Sequence, residues 1–141
     1  MLPQGNISVQ ELAAALIRSF EGCRLISYQD PGGKWTIGYG HTGPVNGQPL
    51  GPGVSITEDQ AEALLALDAA PLIEMVKDQP LIAAAAYVSF GYNCGASRLR
   101  DVLAGQVFMT QFCHDSNGVT LPGLLARRNL EELLTITANQ K

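Results

Sequence analysis

The sequence predicts an α+β fold that is mostly helical, with one small β-hairpin near its start. Three observations point there. Apolar residues recur at helical spacing, first at Leu12, Leu16, Ile17 and Phe20 and again at Leu64, Leu65, Leu72, Met75 and Val76. Residues 25–39 alone combine strand-like composition with a central Pro-Gly-Gly turn. Helix caps and breakers divide the remainder into further helices. At 141 residues the chain fits a single domain, with length enough for a sizeable core.

Composition excludes several classes. An apolar content of 46% with 16% charged residues describes a globular protein, not a disordered one. The net charge is −4, acids and bases are interspersed, and no basic block suited to nucleic acid occurs. Cys23, Cys94 and Cys113 lack metal-ligand spacing, so no metal is expected, and an odd count cannot pair completely. Free thiols in a reducing compartment are the expectation, with a regulatory disulfide as the alternative. The first eight residues, MLPQGNIS, show neither the charged-then-apolar pattern of a signal peptide nor an anchor. The longest apolar run, Leu81–Val88, is too short to span a bilayer. No stable membrane insertion is expected.

Taken in order, Ser8 with Glu11 reads as a capping box that opens the first helix, and Gly22 as its terminator. Glu21 falls about 40° beyond Ile17, at the edge of the apolar stripe. There, partial burial and the negative end of the helix dipole both favour a protonated carboxyl, as a general acid requires. Position alone is equally that of an ordinary solvated glutamate. Leu25–Gln29 reads as a strand, Asp30-Pro31-Gly32-Gly33 as a turn, and Trp35–Tyr39 as the returning strand. Asp30 is either a turn former or the second of two acids in unlike surroundings, the pair that glycoside hydrolysis needs. Gly38 and Gly40 are costly in a strand unless a backbone or ligand approaches closely, which suggests a cleft. Residues 42–53 form a loop with a turn at Asn46-Gly47.

Thr57 and Gln60 form a capping box for a long helix in which Asp68 falls inside the apolar face. Its expected partner is His41, as a structural pair. Pro71 should kink or divide this helix, which would then join two lobes. Pro80 fits the first turn of an alanine-rich buried helix ending near Asn93-Cys94-Gly95, where Phe90 and the tyrosines are core residues. Ser97 is a candidate cap for a short helix that stops at Gly105. Residues 107–113 suggest another short helix, and 114–119 a loop. Pro122 opens a last helix whose core positions are read as Leu124, Leu125, Leu130, Leu133 and Leu134, with a polar, frayed tail after Ile136. There is no internal repeat.

Together these features resemble the bacteriophage-type lysozymes, or endolysins. The family pattern of Glu, eight residues, Asp, five residues, Thr is met by Glu21, Asp30 and Thr36, inside EGCRLISYQD and WTIGYGH. The likeness continues through ITEDQAEALLALD, SFGYNCG and LPGLLARRNLEELL, from about Ile7 to Leu134. It implies one catalytic domain over 1–141 with a lysozyme-like fold. A small β-containing lobe of about 22–56 and a helical lobe of about 72–141 plus the first helix would be joined by the long Pro-kinked helix, with the cleft between them.

It implies a bacteriolytic muramidase cutting the β-1,4 bond between N-acetylmuramic acid and N-acetylglucosamine in peptidoglycan. Glu21 would be the general acid, Asp30 an ionised stabiliser, and Thr36 the holder of the attacking water, in an inverting geometry that needs no cofactor. The carboxyl groups are then expected roughly 6.5–9.5 Å apart. Tyr92 and Asn93 match the far cleft wall and would bind substrate, His41 and Asp68 match a structural pair, and one of Arg127 and Arg128 would approach Glu21. A monomer is expected, held in the host bacterial cytoplasm until a holin-like pore protein releases it to the cell wall. Two departures stand out: the chain is acidic where many wall lysins are basic, and the segment from Gly105 to Pro122 is short. A lytic transglycosylase using Glu21 alone and a non-catalytic peptidoglycan-binding module are the competing readings.

Overall fold

A computed structural model describes residues 6–139. Helix α1, Val9–Glu21, begins where the Ser8 hydroxyl accepts the Glu11 N–H and ends at Gly22, whose φ is 66°. Strands β1, Arg24–Gln29, and β2, Trp35–Gly38, form an antiparallel pair with Tyr28 opposite Thr36 and Gln29 opposite Trp35. The register shifts between Arg24 and Tyr28, a bulge that bends β1. The other edge of β1 is closed by the segment around Ser55: Ser27 N–H donates to Val54 O and Ile56 N–H to Leu25 O. The Asn46-Gly47 turn forms, both residues in the left-handed region at φ 50° and 75°, bridged by Val45 and Gln48.

Helix α2, Glu58–Met75, has the full Thr57–Gln60 capping box and runs unbroken through Pro71. Helix α3, Leu81–Cys94, takes Pro80 as its N-cap, one position earlier than the sequence suggests. Helix α4, Ala96–Leu103, is capped by Gly95 at φ 96°, so it opens two residues ahead of the expected cap and Ser97 lies inside its first turn. The helix expected over 107–113 reduces to one 3-10 turn, Met109–Gln111. Beyond it Asp115 Oδ1 accepts the N–H groups of Asn117 and Val119, which closes the loop. Helix α5, Pro122–Asn139, continues past the point where fraying was expected.

Apolar residues gather in two clusters. The larger holds Ala13 and Ile17 of α1, Leu65, Leu72 and Val76 around α2, Ala84, Ala85, Val88 and Phe90 of α3, Leu99 and Met109. The smaller, under the hairpin, holds Ile37, Val45, Ile56 and Ala61. Helix α3 is nearly encircled: Ala83–Ala86, Val88, Ser89, Phe90 and Gly91 are all buried. A methyl group on Gly91 would meet Leu72 Cδ2 and Leu99 Cδ2 at 2.9 Å, so only glycine lets α2 and α4 close on α3 here.

The last helix overturns most of its expected core. Of the five leucines, Leu124 and Leu134 are half-buried, but Leu125, Leu130 and Leu133, with Ile136, are each more than a third exposed, while Arg127, Arg128, Glu131 and Thr135 are buried. Helix α5 packs on α3 through a charged face and turns leucines to solvent.

Candidate active site

Glu21 is the last residue of α1, and its side chain is 22% exposed. One oxygen is engaged: Arg127 Nη1 donates to Oε1 at 2.6 Å, across 106 residues of sequence. That is the approach anticipated for one of the two arginines. It also adds to Glu21 a charge-assisted partner that the two local helix-end effects did not include. The Arg127 guanidinium is itself fixed, because Nη2 donates to Ser89 O at 2.9 Å and Ser89 Oγ at 3.2 Å, and its Cζ lies 4.8 Å from the centre of the Phe20 ring.

The free oxygen of Glu21 meets the tight turn that follows β2. A Cβ placed on Gly40 would lie 3.5 Å from Glu21 Oε2 and 3.9 Å from Tyr92, and Gly40 has φ 92°. Both the conformation and the approach call for glycine. Hydrogen bonds tie this turn down from several elements. Ile37 and His41 exchange backbone bonds, and Tyr92 OH donates to Tyr39 O at 2.7 Å. Tyr39 OH donates to Glu62 Oε1 at 2.9 Å, which also accepts from Arg18 Nε at 2.8 Å. Partial burial and the Glu62 bond push the Tyr39 hydroxyl up to about 12, while Arg18 holds the Glu62 carboxyl below its ordinary value. Burial raises the Tyr92 hydroxyl as well, so it stays a neutral donor.

Asp30 sits at the hairpin turn, where Oδ1 accepts the Lys34 N–H at 2.8 Å and its carbonyl accepts the Gly33 N–H. It therefore shapes the turn whatever else it does. Thr36 is buried in β2 and its hydroxyl donates to Lys34 O at 3.0 Å, which leaves the oxygen lone pairs to accept. His41 is buried, with Nδ1 2.7 Å from Asp68 Oδ2 and Nε2 3.1 Å from Pro44 O. The buried imidazole thus has a partner for each nitrogen.

Tyr92 and Asn93 face different hollows. A concavity of about 330 Å³ is lined by Gly40, Thr42, Gly43, Asp68 and Tyr92, directly beside Glu21's turn. Asn93 instead lines a polar hollow of about 350 Å³ with Cys94, Arg98, Gln111 and His114. A larger hollow of about 480 Å³ runs along α1 and α2 past Arg18 and Glu62, and none of the three hollows is lined by Glu21, Asp30 or Thr36. Among the described residues no three His, Cys, Asp or Glu side chains are grouped to hold a metal, and no helix is long and apolar enough to cross a membrane. All three cysteines are free.

Sequence reasoning missed Glu131 and left the roles of Arg127 and Arg128 open. Glu131 is fully buried, with Oε1 2.6 Å from Arg128 Nε and Oε2 3.6 Å from Arg127 Nε, close as charges but not aligned as hydrogen bonds. The available signal was Arg127, Arg128 and Glu131 falling on one helical face, with Thr135 a further turn along.

The fold and the sequence both have known relatives. Residues 18–131 match the family model described as phage lysozyme. The endolysin of Acyrthosiphon pisum secondary endosymbiont phage 1 is 32% identical, over 89% of this chain and 96% of that one. The solved endolysin from Escherichia coli O157:H7 phage FAHEc1 superposes with a TM-score of 0.75 at 28% identity, covering 94% of this chain and 96% of its own. The muramidase domain of SpmX from Asticaccaulis excentricus gives 0.71 at 31% identity, over 93% and 99%. The match spans both the hairpin and the helices that hold Glu21 in place, and by it the chain belongs to the phage lysozyme family, whose members are muramidase-type glycoside hydrolases.

Proposed function

We propose that this chain cleaves the β-1,4 bond between N-acetylmuramic acid and N-acetylglucosamine in peptidoglycan, and so lyses its bacterial host. Glu21 is the general acid that protonates the glycosidic oxygen. Asp30 is the ionised carboxylate that stabilises positive charge at the sugar, and Thr36 positions the attacking water for inversion. The observation that carries this reading is Glu21 itself: one oxygen is anchored by a buried arginine and the other is open to the Gly40 turn and Tyr92. Thr36 suits its role because its hydroxyl proton is already committed to Lys34 O, so its oxygen accepts from water. Tyr92 lines the substrate hollow beside Glu21, Asn93 offers a second contact from the separate polar hollow, and His41 with Asp68 braces the first. The chain works as a monomer of two lobes, about 22–56 and about 72–141 with α1. It reaches the wall from the host cytoplasm through a lesion made by a separate pore protein.

The test is turbidity loss of purified peptidoglycan by wild type and Glu21→Gln, with the released ends identified. Activity lost in the variant and ordinary reducing ends from the wild type are expected. A 1,6-anhydro end would mean a transglycosylase, and undiminished clearing by the variant would remove Glu21 from the chemistry.

A further inference from the structure

Behind Glu21 lies a closed set of charges. Arg127 reaches Glu21 with Nη1 and faces Glu131 with Nε, while Arg128 faces the same Glu131 and donates from Nη1 to Cys94 Sγ at 2.7 Å. The Arg127, Arg128 and Glu131 side chains are at most 4% exposed. Burial keeps the Cys94 thiol protonated, so it adds no charge. Two guanidinium groups therefore face two carboxylates, and the set is neutral only when both Glu21 and Glu131 are ionised. A buried uncompensated charge is costly, so protonating Glu21 depends on how completely Glu131 answers the two arginines. The other groups facing the set add little: Ser89 and Phe90 of α3 are neutral, Tyr92 stays a neutral phenol, and the 3-10 turn Met109–Gln111 carries no titratable side chain. Arg98 and His114 share the hollow at Cys94, and Asp68, already paired with His41, bears on Tyr92.

We propose that Glu131 is a positioning residue of the reaction: by sharing Arg127 with Glu21, it allows Glu21 to hold the proton that it must donate. With Glu131 ionised, the Arg127 charge is divided between two carboxylates and Glu21 can be the neutral partner. With Glu131 neutral, Arg127 and Arg128 have Glu21 as their one carboxylate and hold it ionised, without a proton to give. Burial raises the Glu131 carboxyl above its ordinary value against the pull of both arginines. This role rests on the reading of Glu21 as general acid.

The pH dependence of kcat/KM on purified peptidoglycan tests it, in wild type, Glu131→Gln, Arg128→Met and Glu21→Gln, each first checked for a cooperative thermal transition. The alkaline limb reports loss of the acid's proton. Glu131→Gln should move its half-maximal point down by about one pH unit, and Arg128→Met, which leaves Glu131 entirely to Arg127, should move it up by a similar amount. A merely structural role would lower activity without opposed shifts. Alkaline limbs that coincide with wild type in either folded variant overturn the proposal. If neither variant folds, carboxyl ¹³C titration of the wild type decides: a step in the Glu21 signal at the Glu131 midpoint supports the coupling, and independent single-step curves overturn it. An active Glu21→Gln enzyme would overturn the acid assignment instead, whereas an inactive one beside unshifted limbs removes only the role of Glu131.

Discussion

Helices α3 and α5 pack against each other and invert the usual division of labour. Helix α3 buries small apolar residues, Ala83 to Ala86 with Val88 and Gly91. Helix α5 buries Arg127, Arg128, Glu131 and Thr135 and exposes Leu125, Leu130, Leu133 and Ile136. The two faces meet where Ser89, Phe90 and Cys94 of α3 receive the guanidinium groups of Arg127 and Arg128. They differ in consequence. The α3 face could be exchanged for other apolar residues of equal volume, whereas the α5 face carries charge to Glu21. A core can thus be built to hold a functional group, with its stability depending on the completeness of the ion set more than on its apolar area.

The largest predicted effect comes from breaking that set. Arg127→Met leaves Glu131 and Glu21 without their shared partner and should cost about 3–5 kcal/mol in urea unfolding. Gly91→Ala probes the apolar side, where the new methyl at 2.9 Å from Leu72 and Leu99 should cost about 1–3 kcal/mol by the same measurement. An unchanged transition would mean that the α2–α3–α4 junction is looser than described.

Glu62 gives a smaller, exposed contrast. It pairs with Arg18 while both side chains are about two-fifths exposed, so Glu62→Gln should cost only about 0.2–1 kcal/mol at pH 7. Because the folded carboxyl lies below its ordinary value, this stability is present above the usual carboxylate range and is lost as pH falls through the folded value. The melting-temperature gap between wild type and Glu62→Gln should therefore shrink in acid. Smallest of all, Leu133→Ser should shift stability by less than about 0.5 kcal/mol, because Leu133 is 59% exposed. A loss of several kcal/mol would return α5 to the apolar orientation that its leucines suggest.

Local features were legible because local chemistry decides them. The Ser8 cap, the Thr57–Gln60 box, the hairpin around Asp30-Pro31-Gly32-Gly33 and the Asn46-Gly47 turn each depend on a few neighbouring residues. The buried face of α5 was not legible, because five leucines at plausible spacing outweigh an Arg-Arg pair that is normally solvated. What holds the pair inside is Glu21, 106 residues away, together with Ser89, Phe90 and Cys94 of α3. Ser97 is not the cap because the helix already starts at Gly95, whose carbonyl accepts the Leu99 N–H. The 107–113 segment keeps only one 3-10 turn, pinned where Met109 N–H donates to Glu132 Oε1 on α5, a contact with no local sequence mark.

The central claim is that the buried charges of α5 serve Glu21 and not merely the fold. The most direct test is kcat/KM on purified peptidoglycan for Arg127→Lys, beside its thermal unfolding. A lysine keeps the charge but cannot hold Glu21 and Ser89 at once through a planar fork. At least about a tenfold loss of kcat/KM with the cooperative transition retained is predicted. Wild-type activity in a folded Arg127→Lys enzyme would contradict the account, because the arginine fork would then do no more than fill space.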